Sequence, residues 1–578
     1  MFDFKEEHVQ AIYDGIKDMP KIPELDEILS SEFSVSSEKD ILYPLVDSHD
    51  VIVVCGAFFG DEGKGKTVAA IADHPDIKLI VRSNSGENAG HTVWLNGVKY
   101  VFHLAPSGLL TRKQNAIGPN CVMDPISFME KEIQQLIDHN IDYSNLTIGN
   151  VTIVTPYHKI LDALGRKNSS TLKGMSPSHS SKVRKKGLRL DDLFNDEDQQ
   201  KKIIQADMEV YNALLAHKRK NEEELIATFE AMNEKVAGRI PAHVMDFLKA
   251  QDKADYLIGL YLAGVVNNPK FPKRGDVTRL IQRTLEQGDK ILLEAAQAFY
   301  LSNNEVTHWR RSTSADTTSA GTKAAAGYNQ ERHKSVTINV HKVPTSRVGI
   351  GENPSGYVKQ DYFSKRDIET LTELGAACDD FDAIQKLFFE SIQDNGVIKP
   401  VIYKDDTGEY TIGAAMAIGS AKEHEEQGAT TKKPRICGIF DCVAQHKTNN
   451  TQGPYLSISA VDRLDIYDKV GLVIGYVVIE PGLEGVIDSN GTKYKNGDVI
   501  KPGDDMPCEN VLKHCYPLVK VMDGWKDTPI AAGKRKPDEQ LPKQCQRFLG
   551  EISHYTGSEI ISIGNGAETK NLVYIQKK

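Results

Sequence analysis

The sequence predicts an α/β fold: a large single domain on a central, mainly parallel sheet, with a phosphate-loop strand–loop–helix at its start and helical insertions. Three observations carry this expectation. The apolar run Val51-Ile-Val-Val-Cys55 reads as a buried strand; glycines follow at 56, 60, 63 and 65, and Thr67–Ala72 then reads as a helix. Later strand-like runs, Lys290–Glu294, Ser335–Val340 and Leu472–Ile479, are separated by stretches of helical character. Strands alternating with helices favour a parallel sheet, and no internal repeat breaks the alternation.

Residues 1–49 precede the first core strand and read as an N-terminal extension to a catalytic domain at 50–578. Within it, Val9, Ile12 and Ile16 recur at helical spacing until Pro20 and Pro23 interrupt the chain. Its acidic start has neither a signal-peptide core nor an Arg-rich transit pattern, so docking onto the body or a partner subunit is expected rather than targeting. After Val51–Cys55, short strands are expected at Leu79–Val81, Thr92–Leu95 and Tyr100–Phe102, the last two joined by an Asn96-Gly97 hairpin turn. Ile126–His139 and Gln205–Leu248 read as helices, the second broken near Gly238 and Pro241, and Phe363–Gln393 reads as mostly helical.

Bulk composition narrows the function. The 578 residues carry Lys+Arg 70 against Asp+Glu 80, a net charge of −10, which argues against a general nucleic-acid or membrane-surface binder. No apolar run approaches the roughly 18 residues of a membrane helix. A cytoplasmic enzyme is the expectation. The 8 cysteines are scattered without a CxxC pair, which reads as reduced, mostly buried thiols.

The chemistry starts at Gly60-Asp-Glu-Gly-Lys-Gly-Lys-Thr67, which satisfies the G-x-x-x-x-G-K-[ST] phosphate-loop pattern. Between a strand and a helix, such a loop turns backbone N–H groups and a helix N-terminus toward an anion. Asp61 and Glu62 inside the loop would repel a phosphate unless a cation or a reaction needs them; Asp61 is suited to hold Mg²⁺, to take a proton, or both.

With Asn88-Ala-Gly-His-Thr92 and Phe102-His-Leu-Ala-Pro-Ser-Gly108 following in order, the chain resembles the adenylosuccinate synthetase family across most of Val51–Glu568. That family joins IMP to L-aspartate using GTP. The resemblance implies a Mg²⁺-dependent ligase with GTP as co-substrate, working through 6-phosphoryl-IMP in the first committed step from IMP to AMP. Joining an amine at C6 of a hypoxanthine requires the oxygen to become a leaving group. Removing the N1 proton makes that oxygen nucleophilic toward the γ-phosphoryl group.

The resemblance assigns catalysis to Asp61, His91, Lys64 and Gln297, with Asp61 as the base at N1 and His91 at the transferring phosphoryl group. Metal ligation falls to the Asp61 carboxylate and the Gly90 carbonyl. GTP is implied to meet Gly60, Asp61, Glu62, Gly63, Lys64, Gly65, Lys66, Gly90, His91 and Thr92. It would also meet Arg435, the Arg463-Leu464-Asp465 block, where Asp465 suits the guanine N1–H and amine, and Ser562-Ile563-Gly564. IMP is implied to meet Asp61, Lys64, Asn88, Ala89, Gly90, His91, Thr171, Lys185, Gln297, Thr313 and Lys433. Aspartate is implied at Ala429, Thr430, Thr431, Lys433 and Arg435.

Departures from the family pattern concentrate in the IMP pocket. Ser170-Thr-Leu-Lys173 replaces Thr-Thr-Gly-Arg, Ala296-Gln-Ala298 loses a glycine, and Phe58-Phe59 replaces Gln-Trp. Lys185, or Arg184 after a one-residue shift, stands where a family arginine reaches the neighbouring subunit's IMP phosphate, implying a homodimer. The chain is lengthened near 195–289, 376–420 and 487–510, expected as surface elaborations. Two alternatives stand beside the ligase: a GTP-binding regulator on the same scaffold, and a family variant using another purine nucleotide acceptor.

Overall fold

The structure is a computed structural model, and it describes residues 33–36, 38, 42–88, 90–165, 173–217, 221–235, 240–305, 307–349, 351–358, 380–392, 402–405, 408–427, 435–479, 485–536 and 539–577. Its centre is the strand Val51–Gly56, six residues that are all buried. Burial on both faces is why this strand reads as an unbroken apolar run instead of an alternating one. It lies between Lys290–Glu294 and Ser335–Lys342, parallel to both. Beyond Lys290–Glu294 the sheet continues in parallel through Ile77–Ser85, Gln114–Met123, Leu146–Ile148 and Lys273–Arg274. Beyond Ser335–Lys342 it continues in parallel through Tyr455–Ser459 and Glu559–Gly564. Among the described residues of this sheet, antiparallel pairing appears only at that far edge, where Leu572–Lys577 is followed by Phe33–Ser36.

The extension therefore docks on the body through the pairing of Phe33–Ser36 with Leu572–Lys577. The helix expected near Val9–Ile16 lies outside the described residues. The Asn96-Gly97 hairpin forms as expected between His91–Leu95 and Val98–Phe102. Both turn residues have positive φ, 52° and 78°, the geometry a two-residue turn of this twist requires.

Elsewhere the structure corrects the sequence reading. The stretch Gln205–Leu248 is several helices: Glu197–Asp207, Glu209–His217, Glu222–Lys235 and Ala242–Lys249. It is not surface decoration either, because Ile204, Tyr211, Phe229 and Phe247 are buried in one hydrophobic cluster with Leu136, Tyr157 and Leu190. The charged face of these helices hid an apolar one. The strand Tyr455–Ser459 ends where Ala460 turns to φ 58° and a 3₁₀ helix, Val461–Ile466, begins. Of the helix expected over Phe363–Gln393, Phe381–Glu390 is helical and the part before residue 380 lies outside the described residues. The run Leu472–Ile479 belongs to a second sheet, with Lys469–Val478 between Phe440–Asp441 and Cys515–Asp523.

Candidate active site

In open parallel sheets, ligands bind beyond the carboxyl ends of the strands. The predicted segments collect at that edge: the phosphate loop after Gly56, Asn88–Thr92 after Ser85, Gln297 after Glu294, Arg463–Asp465 after Ser459, and Ser562–Gly564 ending its strand. Sheet order, not chain order, makes them neighbours.

The phosphate loop is held open from within. Glu62 is 2 % exposed, and its Oε1 accepts hydrogen bonds from the N–H groups of Phe58 (2.6 Å) and Gly60 (3.2 Å). Burial pushes its carboxyl up to about 7 against the pull of Lys64. The second loop acid is thus a structural brace. Gly60 and Gly63 take positive φ, 96° and 81°, and Gly63 caps Lys64–Ala72 without any side-chain bond, leaving the helix N-terminus open toward an anion. A Cβ on Gly56 would meet Glu62 Oε2 at 2.0 Å and the Gln297 carbonyl at 2.5 Å. Gly56→Ala is accordingly expected to displace the brace and abolish nucleotide binding, checked by equilibrium binding of a fluorescent GTP analogue.

Asp61 adopts φ 52° and projects toward Arg435, with which it forms an ion pair. Burial alone would raise its carboxyl; Arg435, with Lys342 and Lys64 behind it, outweighs burial and holds it below the ordinary range. Its Oδ1 faces Gly90, where a Cβ would lie 3.6 Å from that oxygen. Gly90 and the Asp61 carboxylate are therefore neighbours, and a carboxylate with a backbone carbonyl is the hard oxygen chemistry that fits Mg²⁺. Lys64, 3 % exposed, donates to the carbonyl of Gln297 (2.5 Å), while Gln297 Oε1 is buried without a partner. An orphaned buried acceptor beside a phosphate loop suits a ligand donor. Asn88 Nδ2 donates to Thr313 Oγ1 (3.0 Å), joining two predicted IMP contacts that lie 225 residues apart.

Around His91 the structure adds groups that motif reading missed. Its Nδ1 bonds Glu294, whose carboxylate also accepts from Ser107 N–H (2.7 Å) and Ser107 Oγ (2.6 Å). The Arg82 guanidinium lies 3.2 Å from His91 Nε2. Burial, with Arg82 behind it, holds His91 down, to about 4, against the pull of Glu294; Nδ1 faces Glu294 and Nε2 faces Arg82. The one signal for Glu294 was a charge ending an apolar strand, and its burial there is complete.

A second buried centre, also missed, gathers Lys342, Arg435 and Arg463 around Glu426. Glu426 bonds Lys342 (2.8 Å) and Arg463 and lies 3.6 Å from Arg435. Burial opposes its charge, but these three cations hold it well below the usual carboxylate range. Glu426 sits in the polar stretch Glu423-His-Glu-Glu-Gln427, and nothing in that stretch distinguishes it from its neighbours.

Among the residues expected to meet GTP, Ser562 is paired with Ser457 across adjacent strands, and their hydroxyls are 2.8 Å apart. Lys66 donates to the Gly566 carbonyl, and burial lowers its amine to about 8. Asp465 is partly spoken for: Oδ1 accepts from Trp525 Nε1–H (2.8 Å) and Ile530 N–H (3.0 Å), and Oδ2 from Ala531 N–H (2.8 Å). Oδ2 keeps a lone pair for one base N–H, so the bidentate fit expected of Asp465 is half open here. Ala89, Thr171, Ala429, Thr430, Thr431 and Lys433 lie outside the described residues. Arg184 and Lys185 lie in the turn after the helix Met175–Val183.

A family model described as adenylosuccinate synthetase matches residues 53–258 and 268–573. This chain belongs to the adenylosuccinate synthetase family. Curated relatives include adenylosuccinate synthetases of Trypanosoma brucei gambiense, 51 % identical over 98 % of this chain and 96 % of the relative, and of Leishmania major, 51 % identical over 98 % and 82 %. Adenylosuccinate synthetase 2 of Trypanosoma cruzi is 50 % identical over 98 % and 94 %. Among solved structures, fully ligated adenylosuccinate synthetase from Plasmodium falciparum aligns with a TM-score of 0.61 at 21 % identity, covering 90 % of this chain and 99 % of that one. That last likeness concerns the fold, and it bears out the α/β expectation. Family membership likewise bears out the resemblance read from the phosphate loop and the Asn88–Thr92 block.

Proposed function

We propose that this chain is a ligase that forms adenylosuccinate from IMP and L-aspartate, converting GTP to GDP and phosphate. The observation that supports it most is the adjacency of Asp61 Oδ1 and Gly90 at the mouth of the phosphate loop. Asp61 takes the N1 proton of IMP; O6 then bonds to the γ-phosphorus as the bond to GDP breaks. The aspartate amine adds at C6, and phosphate leaves with the former carbonyl oxygen. The Asp61 carboxylate and the Gly90 carbonyl would hold Mg²⁺, which would supply charge neutralisation for the phosphates. Lys64 and His91 steady the transferring group, and the Gln297 amide holds IMP. Arg435 is shared between Asp61 and Glu426, so an arriving substrate carboxylate competes for it and eases its hold on Asp61, making that group a better base.

The same reading places the enzyme in the cytoplasm as a homodimer. Arg184 is already paired within its own chain with Asp207 (3.5 Å), which leaves Lys185 as the residue that reaches the neighbour's IMP phosphate. A pure GTP-binding regulator would have no use for the Asn88–Thr313 pair or the orphaned Gln297 oxygen. The test is direct. Purified full-length protein with IMP, aspartate, GTP and Mg²⁺ should develop the absorbance of adenylosuccinate, and omitting aspartate should stop GTP consumption. GTP loss that continues without aspartate, with no new chromophore, would overturn the proposal.

A further inference from the structure

The 3₁₀ helix Val461–Ile466 turns once every three residues, so its side chains form stripes along the axis. Val461 and Leu464 make the buried stripe and pack into the core. Asp462 and Asp465 make a second one. Their side chains are eclipsed, one turn apart, with roughly 6 Å between them along the axis at the usual rise of such a helix. Both carboxylates therefore leave the helix in the same direction. Asp465 is the residue expected to read guanine, whereas the Arg463-Leu464-Asp465 block begins one residue after Asp462 and leaves it out.

The two acids differ in what they already hold. Asp465 Oδ1 is filled by the N–H groups of Trp525 and Ile530, and Oδ2 by one, that of Ala531, which leaves a single lone pair. Asp462 Oδ1 is buried and has no hydrogen-bond partner among the described residues. Burial raises the Asp462 carboxyl, outweighing Lys66, the strongest cation acting on it. Lys66 is itself committed, because Nζ donates to the Gly566 carbonyl. A buried acceptor without a donor carries a desolvation cost that a ligand N–H would remove.

The surrounding walls meet at the same place. A Cβ on Gly564 would lie 3.0 Å from Ala460 N and 3.5 Å from Lys66 Nζ, so the strand Glu559–Gly564 ends against the start of the 3₁₀ helix. Asn565 follows, and its carbonyl accepts from Ala532 N–H (2.7 Å) while Nδ2 donates to the Ile530 carbonyl (3.2 Å). That holds in place the segment whose N–H groups engage Asp465. Asn565 Oδ1 is a further buried acceptor without a partner among the described residues. Open acceptors suit a ligand edge that carries several N–H groups. Guanine presents N1–H and an exocyclic amine on one edge; hypoxanthine presents N1–H alone.

We propose that Asp462 is a specificity-determining residue for the base of GTP: its Oδ1 accepts from the exocyclic amine of guanine while Asp465 Oδ2 accepts from N1–H. This rests on the reading of Asp465 as the guanine contact and deepens it. A task that one free carboxylate would perform alone is divided between two acids on one stripe, because the fold already occupies three of the four lone pairs of Asp465.

The test compares GDP with IDP, which differs only in lacking the amine. Each is titrated calorimetrically, with Mg²⁺, into full-length protein saturated with IMP. The parent should bind GDP about tenfold or more tighter than IDP, the scale of a hydrogen bond to a charged group. In D462A the GDP affinity should fall to within a few-fold of that for IDP. IDP affinity should stay at the parent's value, which also shows that the variant folds. Should D462A not fold, D462S carries the same comparison. An unchanged GDP-to-IDP ratio overturns the proposal, and N565A run beside it shows whether the amine is read there instead. Equal loss of both nucleotides overturns it too, because Asp462 would then act through Lys66 or the fold and not on the amine. A parent that binds both nucleotides alike removes this role for Asp462 and leaves the GTP reading standing; a parent that binds neither removes both. No turnover is needed, so the outcome does not depend on whether adenylosuccinate forms.

Discussion

Asp61→Asn should lower adenylosuccinate turnover by about 10²–10⁴-fold, the range for removing a positioned acid or base. The substitution suits the position. Asp61 sits at φ 52°, a conformation that Asn tolerates as well as Asp, so the loop should keep its path. What goes is the charge: the amide cannot take a proton from N1, is a weaker metal ligand, and no longer pairs ionically with Arg435. Initial rates at saturating IMP, aspartate and GTP, with a thermal melt to confirm folding, measure the effect. A variant that turns over within a few-fold of the parent would remove Asp61 as the base and with it the proposed mechanism.

The second large effect is expected from Glu426→Ala. Deleting this carboxylate leaves Lys342, Arg435 and Arg463 crowded without their common partner. Breaking a buried ion pair by removing one member costs about 3–5 kcal/mol, because the remaining charge stays desolvated. The urea midpoint should fall accordingly. Because Arg435 pairs with Asp61, the proposed base, and Arg463 precedes the residue expected to read guanine, the KM values for aspartate and GTP should both rise. Glu426→Gln should be milder, since the amide oxygen can still accept from one cation. Stability within about 0.5 kcal/mol of the parent, the size of an ordinary surface substitution, would show that the three cations are not organised by Glu426.

These two residues illustrate what could be read in advance. Asp61 stood out because a carboxylate inside a phosphate loop contradicts the loop's electrostatics unless chemistry requires it. Glu426 makes a denser set of charge contacts, yet it lies among other acids in a polar stretch, and its importance appears only when Lys342, Arg435 and Arg463 are brought around it. Glu294 is intermediate: a charge at the end of an apolar strand hinted at function, but its partners His91 and Ser107 are 203 and 187 residues distant. The inserted helices were misjudged because their periodic charge was visible and their buried face was not.

Local chemistry was therefore determined by the sequence alone. The apolar run, the glycines, the Asn-Gly turn and the ordered family blocks specify a parallel α/β scaffold with a phosphate loop, because backbone conformation and strand burial depend on residues near one another in the chain. Only the tertiary structure decided which loop acid braces and which faces Gly90, and how Glu426 links the arginines. Those outcomes rest on electrostatic and hydrogen-bond partners that the order of strands in the sheet brings within a few ångströms, and that order is not written in any short stretch of residues.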